Sequence, residues 1–151
     1  MPYDPNANYR EEKPLLKTLR VGVVISSFVI FFISCFSKCF CTATFCADSF
    51  QALLSGWLVV MSGAGVAWLA NPLLLITWIL LLRNNKFALL LSIFATLLSL
   101  SFLGIDEVPI NEAGGIEKII KIEIGYWLWL FSCLITFIGS ISLKILKFKY
   151  E

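Results

Sequence analysis

Four long stretches without a charged residue dominate this 151-residue chain. They cover residues 21–36, 50–82, 87–105 and 125–143. A helix needs about 20 apolar residues to cross the hydrocarbon core of a bilayer, so the first, third and fourth stretches each fit one span. The chain is 59% hydrophobic and only 15% charged, as expected for a protein embedded in lipid. We therefore predict an all-α integral membrane protein.

The second stretch, residues 50–82, fits neither one span nor two. As one straight helix its 33 residues would be about 50 Å long, whereas two spans and a turn need about 40 residues. Gly63 and Gly65 favour a break in the helix, and Asn71-Pro72 favours a kink. These signals predict a short half-helix at the membrane surface, followed by a single kinked span.

The predicted architecture is a single membrane domain with four transmembrane helices. Because Pro72 has no N–H, the Trp68 carbonyl is expected to take its donor from Asn71 or a neighbouring helix. The predicted half-helix covers 50–62, and the spans cover about 19–37, 64–82, 87–105 and 125–143.

The positive residues orient these spans. With a cytoplasmic N-terminus, nine Lys and Arg residues lie inside and three outside, whereas two crossings by residues 50–82 would make the split six against six. Cytoplasmic loops are enriched in Lys and Arg, so the uneven split predicts four crossings and cytoplasmic tails at 1–18 and 144–151. The inside set is Arg10, Lys13, Lys17, Arg20, Arg83, Lys86, Lys144, Lys147 and Lys149, and the outside set is Lys38, Lys118 and Lys121.

The second outer loop, residues 106–124, predicts a small extracytoplasmic β-hairpin. Its sequence places Glu-Ala-Gly-Gly between two runs rich in Val and Ile, and a glycine turn suits a hairpin. Ile120, Ile122 and Ile124 alternate with Lys121 and Glu123, as in a strand. A helix is the alternative, because other isoleucines of the loop match helical spacing.

Four of the five cysteines lie in or beside the first outer loop. Outside the cytoplasm thiols are oxidised, so Cys46 is expected to form a disulfide with either Cys39 or Cys41. Zinc is the competing interpretation, but the cysteine spacing is not that of paired knuckles. The segment before Cys35 also resembles a signal peptide ending at a lipoprotein cysteine. The bulky Phe32 and the acidic N-terminal region favour its retention as the first span.

Small residues recur at helical spacing in the last two predicted spans. Such residues permit close helix approach and interhelical hydrogen bonds in lipid, so the two stripes are expected to pack together. A polar pore would use the same residue types. The stripes are Ser92, Thr96 and Ser99 in one span, and Ser132, Thr136, Gly139 and Ser140 in the other.

The aromatic residues are expected to anchor the protein at the two membrane interfaces. Tryptophan and tyrosine favour this depth because one edge of the ring can stay hydrated. Trp78 falls toward the inner interface in the predicted topology. The outer set is Trp57, Trp68, Tyr126, Trp127 and Trp129.

Enzymatic chemistry has little support in the residues. The chain has no histidine and no recognisable catalytic or phosphate-binding motif, and we predict neither catalytic residues, cofactor nor metal. Four spans with loop cysteines resemble membrane thiol oxidoreductases of the disulfide-forming quinone reductase type. Those proteins need a second redox pair, and the loop at 106–124 contains no cysteine.

Ion-coupled transport is disfavoured because the predicted spans carry no charged residue that could bind a coupling ion. A net charge of +2 without a basic run also gives no sign of a nucleic-acid partner. We predict a non-enzymatic accessory or interaction protein whose partners are the lipid bilayer and either another membrane protein or a second copy of itself. The alternatives are a small oligomeric channel or transporter and a thiol-redox protein.

The segments ALLSGWL, AWLANPLLLITWILLL, EAGG and GYWLWL occur in this order within residues 39–143. In this order they resemble a group of small uncharacterised bacterial inner-membrane proteins. The resemblance implies a multi-pass protein of the bacterial cytoplasmic membrane and no particular activity.

Overall fold

The computed structural model describes residues 7–62, 65–109 and 115–150. The α-helices in these ranges are α1 (Ala7–Cys35), α2 (Ser49–Ser55), α3 (Ala70–Leu82), α4 (Phe87–Ser101) and α5 (Ile124–Tyr150). The strands are β1 (Lys38–Cys41), β2 (Cys46–Asp48), β3 (Glu107–Pro109), β4 (Ile116–Lys118) and β5 (Lys121–Ile122). Turns of 3₁₀-helix cover Gly56–Ser62, Val66–Leu69 and Phe102–Gly104.

Three helical stretches among the described residues are long and apolar enough to cross a membrane. They are Pro14–Cys35, Phe87–Gly104 and Ile124–Lys149. Two shorter apolar stretches, Ser49–Val60 and Val66–Leu82, correspond to the predicted half-helix and the predicted kinked span. A mostly helical chain with small sheets agrees with the predicted membrane class.

The two predicted tails are helical where the structure describes them. α1 begins at Ala7 instead of near residue 19, and α5 continues past residue 143 to Tyr150. Helical hydrogen bonds do not depend on the membrane boundary, and Lys147 and Lys149 suit the negative end of the α5 dipole. The tails therefore extend the bundle helices.

The half-helix predicted over 50–62 changes type midway. α2 ends at Ser55, and 3₁₀ turns continue from Gly56 to Ser62. Val59 and Val60 are β-branched and favour α-helix less than Leu or Ala, which agrees with the change.

The predicted break falls partly within the described chain. Gly63 and Ala64 lie outside the described residues, and Gly65 is the first described residue after them. A side chain at Gly65 would collide with the backbone of Val59 and Val60, so the chain can double back closely only with glycine at this position.

A change of helix type takes the place of the predicted kink at Asn71-Pro72. The 3₁₀ turn Val66–Leu69 leads into α3 at Ala70, which puts Pro72 in the first turn of α3. A backbone N–H in the first turn of a helix has no intrahelical acceptor, so Pro72 removes no hydrogen bond from α3. Pro72 is thus the third residue of a helix.

The bundle core has three layers of buried residues along its length. Val66–Leu82 contributes to the middle layer through Leu74 and Trp78 and to the layer far from the sheets through Leu81. The layer beside the sheets contains Cys39, Tyr126 and Leu130, the middle layer adds Cys133, and the far layer adds Ala88 and Leu143.

Two small antiparallel sheets cover one end of the bundle, and we call the segments 36–48, 105–109 and 115–123 the cap. The first sheet has the strand order β2-β1-β5, with Phe40 opposite Ile122 and Cys41 opposite both Cys46 and Lys121. It joins the end of α1 to the beginning of α5. α1 and α5 therefore run antiparallel, with these two ends on the cap side.

The loop predicted to form one hairpin contributes to both sheets. β3 pairs with β4, with Val108 opposite Glu117, and residues 110–114 between these strands lie outside the described residues. The residues after β4, in which Ile120, Ile122 and Ile124 alternate with charged residues, do not pair with β3. Its β5 pairs with β1, and the Ile120 N–H donates to the Cys41 carbonyl. The backbone of β1, in the first loop, therefore pairs with β5, which the sequence assigned to the hairpin of the second loop.

Candidate functional site

Asn71 connects two helices and a turn through its side chain. Its Nδ2 donates to the Trp68 carbonyl at 3.0 Å, one of the two sources of a donor that the sequence predicted. Its Oδ1 accepts from Nε1 of Trp129 on α5 at 2.8 Å. The residue is 7% exposed, so both hydrogen bonds are shielded from water.

Trp68 extends this connection to α2. Its Nε1 donates to the Leu53 carbonyl at 2.7 Å, and its ring packs against Gly56. The hydrogen bonds from Leu53 through Trp68 and Asn71 to Trp129 therefore link α2, the 3₁₀ turn, α3 and α5.

A cavity of about 730 Å³ lies between α2 and the cap end of the bundle, and we call it the cap cavity. Trp68, Asn71 and Trp129 form part of its wall, and Cys35 and Cys39 contribute two free thiols. None of the described residues that line it carries a charge. Further lining side chains are Phe31, Ser34, Phe40, Phe45, Ser49, Gln51, Ala52, Leu53, Ser55, Leu58, Val59, Ala67, Phe102, Val108, Pro109 and Tyr126.

Ser49, the first residue of α2, is one of the residues around this cavity, and its Oγ is buried. Its Oγ has no hydrogen-bond partner among the described residues. The Cys39 thiol lies beside this hydroxyl, and burial raises the pKa of Cys39 while the interaction with Ser49 opposes that rise.

The disulfide joins Cys41 to Cys46, which is one of the two pairings left open by the sequence. Together with the hydrogen bond from the Thr42 N–H to the Phe45 carbonyl, it closes the turn between β1 and β2. Two of the four sulfurs considered for zinc are thereby bonded to each other. Among the described residues, no group of three or more His, Cys, Asp or Glu side chains is placed to hold a metal ion.

The remaining loop cysteine, Cys39, is a buried free thiol. Its Sγ donates to the Ala47 carbonyl at 3.3 Å. Burial raises its pKa, because the thiolate would lose its hydration. A thiol held in the protonated form is a poor nucleophile for disulfide exchange.

Cys35, the residue weighed as a lipoprotein cysteine, is the last residue of α1 and is half-buried beside the cap cavity. The preceding Ser34 is buried and donates to the Phe31 carbonyl at 2.6 Å.

The small-residue stripes are buried, but they do not face only each other. α4 meets α5 where Tyr126 Oη donates to the Ser99 carbonyl at 3.0 Å. Thr96 Oγ1 also lies 3.4 Å from the Cys133 carbonyl. Gly139, by contrast, packs against Val23 of α1. The buried residues of both stripes are Ser92, Thr96, Ser99, Ser132, Thr136, Gly139 and Ser140.

The polar surface of α1 was missed by the sequence analysis. Ser27 and Ser34 are both buried, and Ser27 Oγ donates to the Ser132 carbonyl of α5 at 2.8 Å. Their separation of seven residues puts the two serines on one helix face, and this spacing was the available signal.

Trp78 lies in the middle of the bundle instead of at the inner interface. It is 6% exposed, and its indole N–H is shared between Ser27 Oγ at 3.0 Å and Thr136 Oγ1 at 3.1 Å. α1, α3 and α5 therefore meet in one buried polar network. A buried indole needs an acceptor, and two hydroxyls on other helices supply it.

The aromatic residues predicted at the outer interface divide into two groups. Trp57 and Trp127 are 58% and 44% exposed, as expected for side chains that face lipid or the interface. Tyr126 is buried, and Trp68 and Trp129 are half-buried with their N–H groups bonded inside the protein.

Glu117 of β4 ties the second cap loop to the first. The Thr44 hydroxyl lies 2.8 and 2.9 Å from the two carboxylate oxygens of Glu117. Interactions with the Thr42 and Thr44 hydroxyls lower the pKa of Glu117, because they stabilise its carboxylate form.

No protein-family model matches the chain, and no curated protein or solved structure is similar to it.

Proposed function

We propose that this protein crosses the bacterial cytoplasmic membrane four times and serves there as a non-enzymatic interaction protein. Support for the fourth crossing comes from Val66–Leu82, which begins beside the cap cavity and ends in the far core layer. The four 3₁₀ residues and thirteen α-helical residues of this segment extend about 28 Å along the helix axis, which is close to the thickness of the hydrocarbon core.

The orientation follows from charge. The turn between α3 and α4 carries Arg83 and Lys86 at the end opposite the cap, together with the beginning of α1 and the end of α5. Positive residues in short loops favour the cytoplasm, so we place this end inside and the cap outside.

The interaction role rests on one observation, the exposed isoleucines of a braced cap. Ile116 and Ile120 are 62% and 69% exposed, although they lie in or next to hydrogen-bonded strands. The disulfide and the Thr44–Glu117 hydrogen bonds hold this surface in place. Exposed apolar side chains on an ordered surface outside the bilayer are suited to contact another protein.

The proposal is tested by site-specific photocrosslinking in native membranes. A benzophenone amino acid at Ile116 or Ile120 is expected to give a discrete adduct, either with another protein or with a second copy of the chain. The matched control carries the same amino acid at Asn84, an exposed residue at the opposite end. Absence of an adduct from both cap positions contradicts the interaction role.

The channel alternative has weaker support. Ser92, Thr96 and Ser99 donate to carbonyls of their own helix at 2.7–2.9 Å and are buried within one bundle. Hydroxyls used in this way favour helix packing over a water-filled path. Ion flux through proteoliposomes that contain the purified protein would reverse this preference.

A further inference from the structure

We infer that the end of the bundle opposite the cap binds anionic phospholipids of the bilayer through five cations, which we call the basic collar. The collar consists of Lys17, Arg20, Arg83, Lys86 and Lys144. The inference rests on the proposed orientation for the leaflet concerned, which is the cytoplasmic one. It is independent of the exposed isoleucines at the other end of the protein.

Packing brings the five cations to one level of the bundle. Each of them lies within two residues, along the chain, of a residue that packs in the far core layer. These layer residues come from α1, α3, α4 and α5. They are Leu16, Leu19, Leu81, Ala88 and Leu143.

The contact between α1 and α5 places two of the cations at nearly the same height. The two helices run antiparallel, and Gly139 packs against Val23. In the direction away from the cap, Arg20 lies three residues from this contact on α1, and Lys144 lies five residues from it on α5. These separations correspond to about 5 and about 8 Å along the helix axes. The fold therefore holds like charges from different helices at one level.

None of the carboxylates that the structure describes lies near the collar. The ion pair among the described residues joins Lys121 to Glu123 in the cap. Like charges held at one level repel each other, so a bound anion would be stabilised there. The described acidic side chains are all in the cap and are Asp48, Asp106, Glu107, Glu117 and Glu123.

Exposed apolar side chains beside the cations indicate that this anion belongs to a lipid. Leu82, Phe87 and Ile145 are 52–62% exposed, and each of them is next to a collar cation in the chain. The Lys86 Nζ lies 5.5 Å from the centre of the Phe87 ring. Cations directly beside exposed apolar surface suit the boundary between acyl chains and headgroups. A soluble acidic protein would contact the cations and leave the apolar side chains in water.

The chemistry of the collar favours a headgroup with a net negative charge. A guanidinium such as that of Arg20 or Arg83 can donate two parallel hydrogen bonds to phosphate oxygens, and a lysine ammonium acts as a point charge. Phosphatidylglycerol and phosphatidylethanolamine both contain a phosphate, but the amine of phosphatidylethanolamine neutralises it. We therefore expect the collar to prefer phosphatidylglycerol.

The test compares these two lipids, with identical acyl chains, on the purified full-length protein in detergent. Native mass spectrometry is expected to show at least about tenfold tighter binding of phosphatidylglycerol, and salt should reduce this preference. Inorganic phosphate should not displace the lipid, because it has no acyl chains to bind the apolar surface. Equal affinities for the two lipids, or displacement by inorganic phosphate, would overturn the inference.

Two double variants with the same net charge locate the effect. Arg83→Gln/Lys86→Gln removes two exposed collar cations and should lower the preference for phosphatidylglycerol about fivefold. Lys118→Gln/Lys121→Gln removes the same charge from the cap and should keep the wild-type preference. Thermal unfolding of both variants verifies that they are folded. An unchanged preference in the collar variant, or equal losses in both, contradicts the inferred site.

Arg20 supplies a second comparison within the span. Arg20→Lys keeps the charge and should retain the preference for phosphatidylglycerol, whereas Arg20→Gln should weaken it. Equal preferences in these two variants would exclude Arg20 from the site. The measurement in detergent does not depend on orientation, because a protein inserted the other way round would show the same lipid preference. Exposure of the C-terminus on intact cells would contradict the proposed orientation alone.

Discussion

The indole N–H of Trp129 donates to Oδ1 of Asn71 across 2.8 Å, although 58 residues separate them in the chain. Asn71 belongs to the segment AWLANPLLL, and Trp129 belongs to GYWLWL. Two of the four segments on which the resemblance to bacterial inner-membrane proteins rests are thus in contact at the cap end of the bundle. Their contact positions the beginning of α3 against α5.

Asn71→Leu is expected to destabilise the protein by about 2–3 kcal/mol. The substitution leaves the Trp129 N–H without an acceptor and the Trp68 carbonyl without its side-chain donor. Thermal unfolding in detergent measures the loss. The double variant Asn71→Leu/Trp129→Phe should recover part of it, because it removes the unpaired N–H as well. Equal stability of Asn71→Leu and wild type would contradict the structural role of this hydrogen bond.

Gly139→Ala is expected to cost about 1–3 kcal/mol, since the added methyl group would collide with Val23 and separate α1 from α5. Gly22→Ala is the matched control, because no atom lies within 4 Å of the added methyl group there. Stability is read from thermal unfolding of the purified variants. Combining Gly139→Ala with Val23→Ala should restore most of the loss, and failure of this rescue would place the strain elsewhere.

Acid is expected to loosen the contact between the two cap loops. The pKa of Glu117 is lower in the folded protein than its ordinary value of 4.5, so its contribution is complete above that value. The contribution is lost as pH falls below 4.5 through the folded pKa. The protection of the backbone amides around Thr44, measured by hydrogen exchange relative to the intrinsic rate at each pH, should therefore decrease below about pH 4.5.

Glu117→Gln should show the faster exchange near Thr44 already at pH 7, whereas Glu107→Gln on β3 should behave like wild type. A pH response that persists in Glu117→Gln would assign it to another group.

Removing the disulfide with Cys41→Ser/Cys46→Ser is expected to destabilise the cap by about 2 kcal/mol, the value for closing a loop of this length. An impermeant maleimide applied to intact cells should label the wild-type protein more strongly after reduction of the disulfide. The double variant should be labelled equally with and without reduction.

Tags on both termini should stay inaccessible until the membrane is permeabilised. An externally accessible C-terminus would contradict the four-crossing proposal.

The membrane class and the approximate position of each apolar helix could be predicted from the sequence, because they depend on local properties. Apolar length sets what can cross lipid, and the α4 stretch Phe87–Gly104 agrees closely with the predicted 87–105. The need for a donor at the Trp68 carbonyl was equally local, since proline always removes an N–H. The buried polar surface of α1 could also have been predicted from the sequence, because the spacing of Ser27 and Ser34 puts them on one helix face.

Only the tertiary structure decided which partner each of these groups finds. Helical spacing shows that Gly139 and Thr136 share a face with Ser132, but that face can meet either α1 or α4, and packing selected α1 for Gly139. Likewise, Cys39 and Cys41 precede Cys46 by seven and five residues, and either separation allows a disulfide. The strand register brings Cys41 opposite Cys46 and turns Cys39 toward the core. Periodicity specifies a surface, whereas hydrogen bonds and close packing between distant segments specify what covers it.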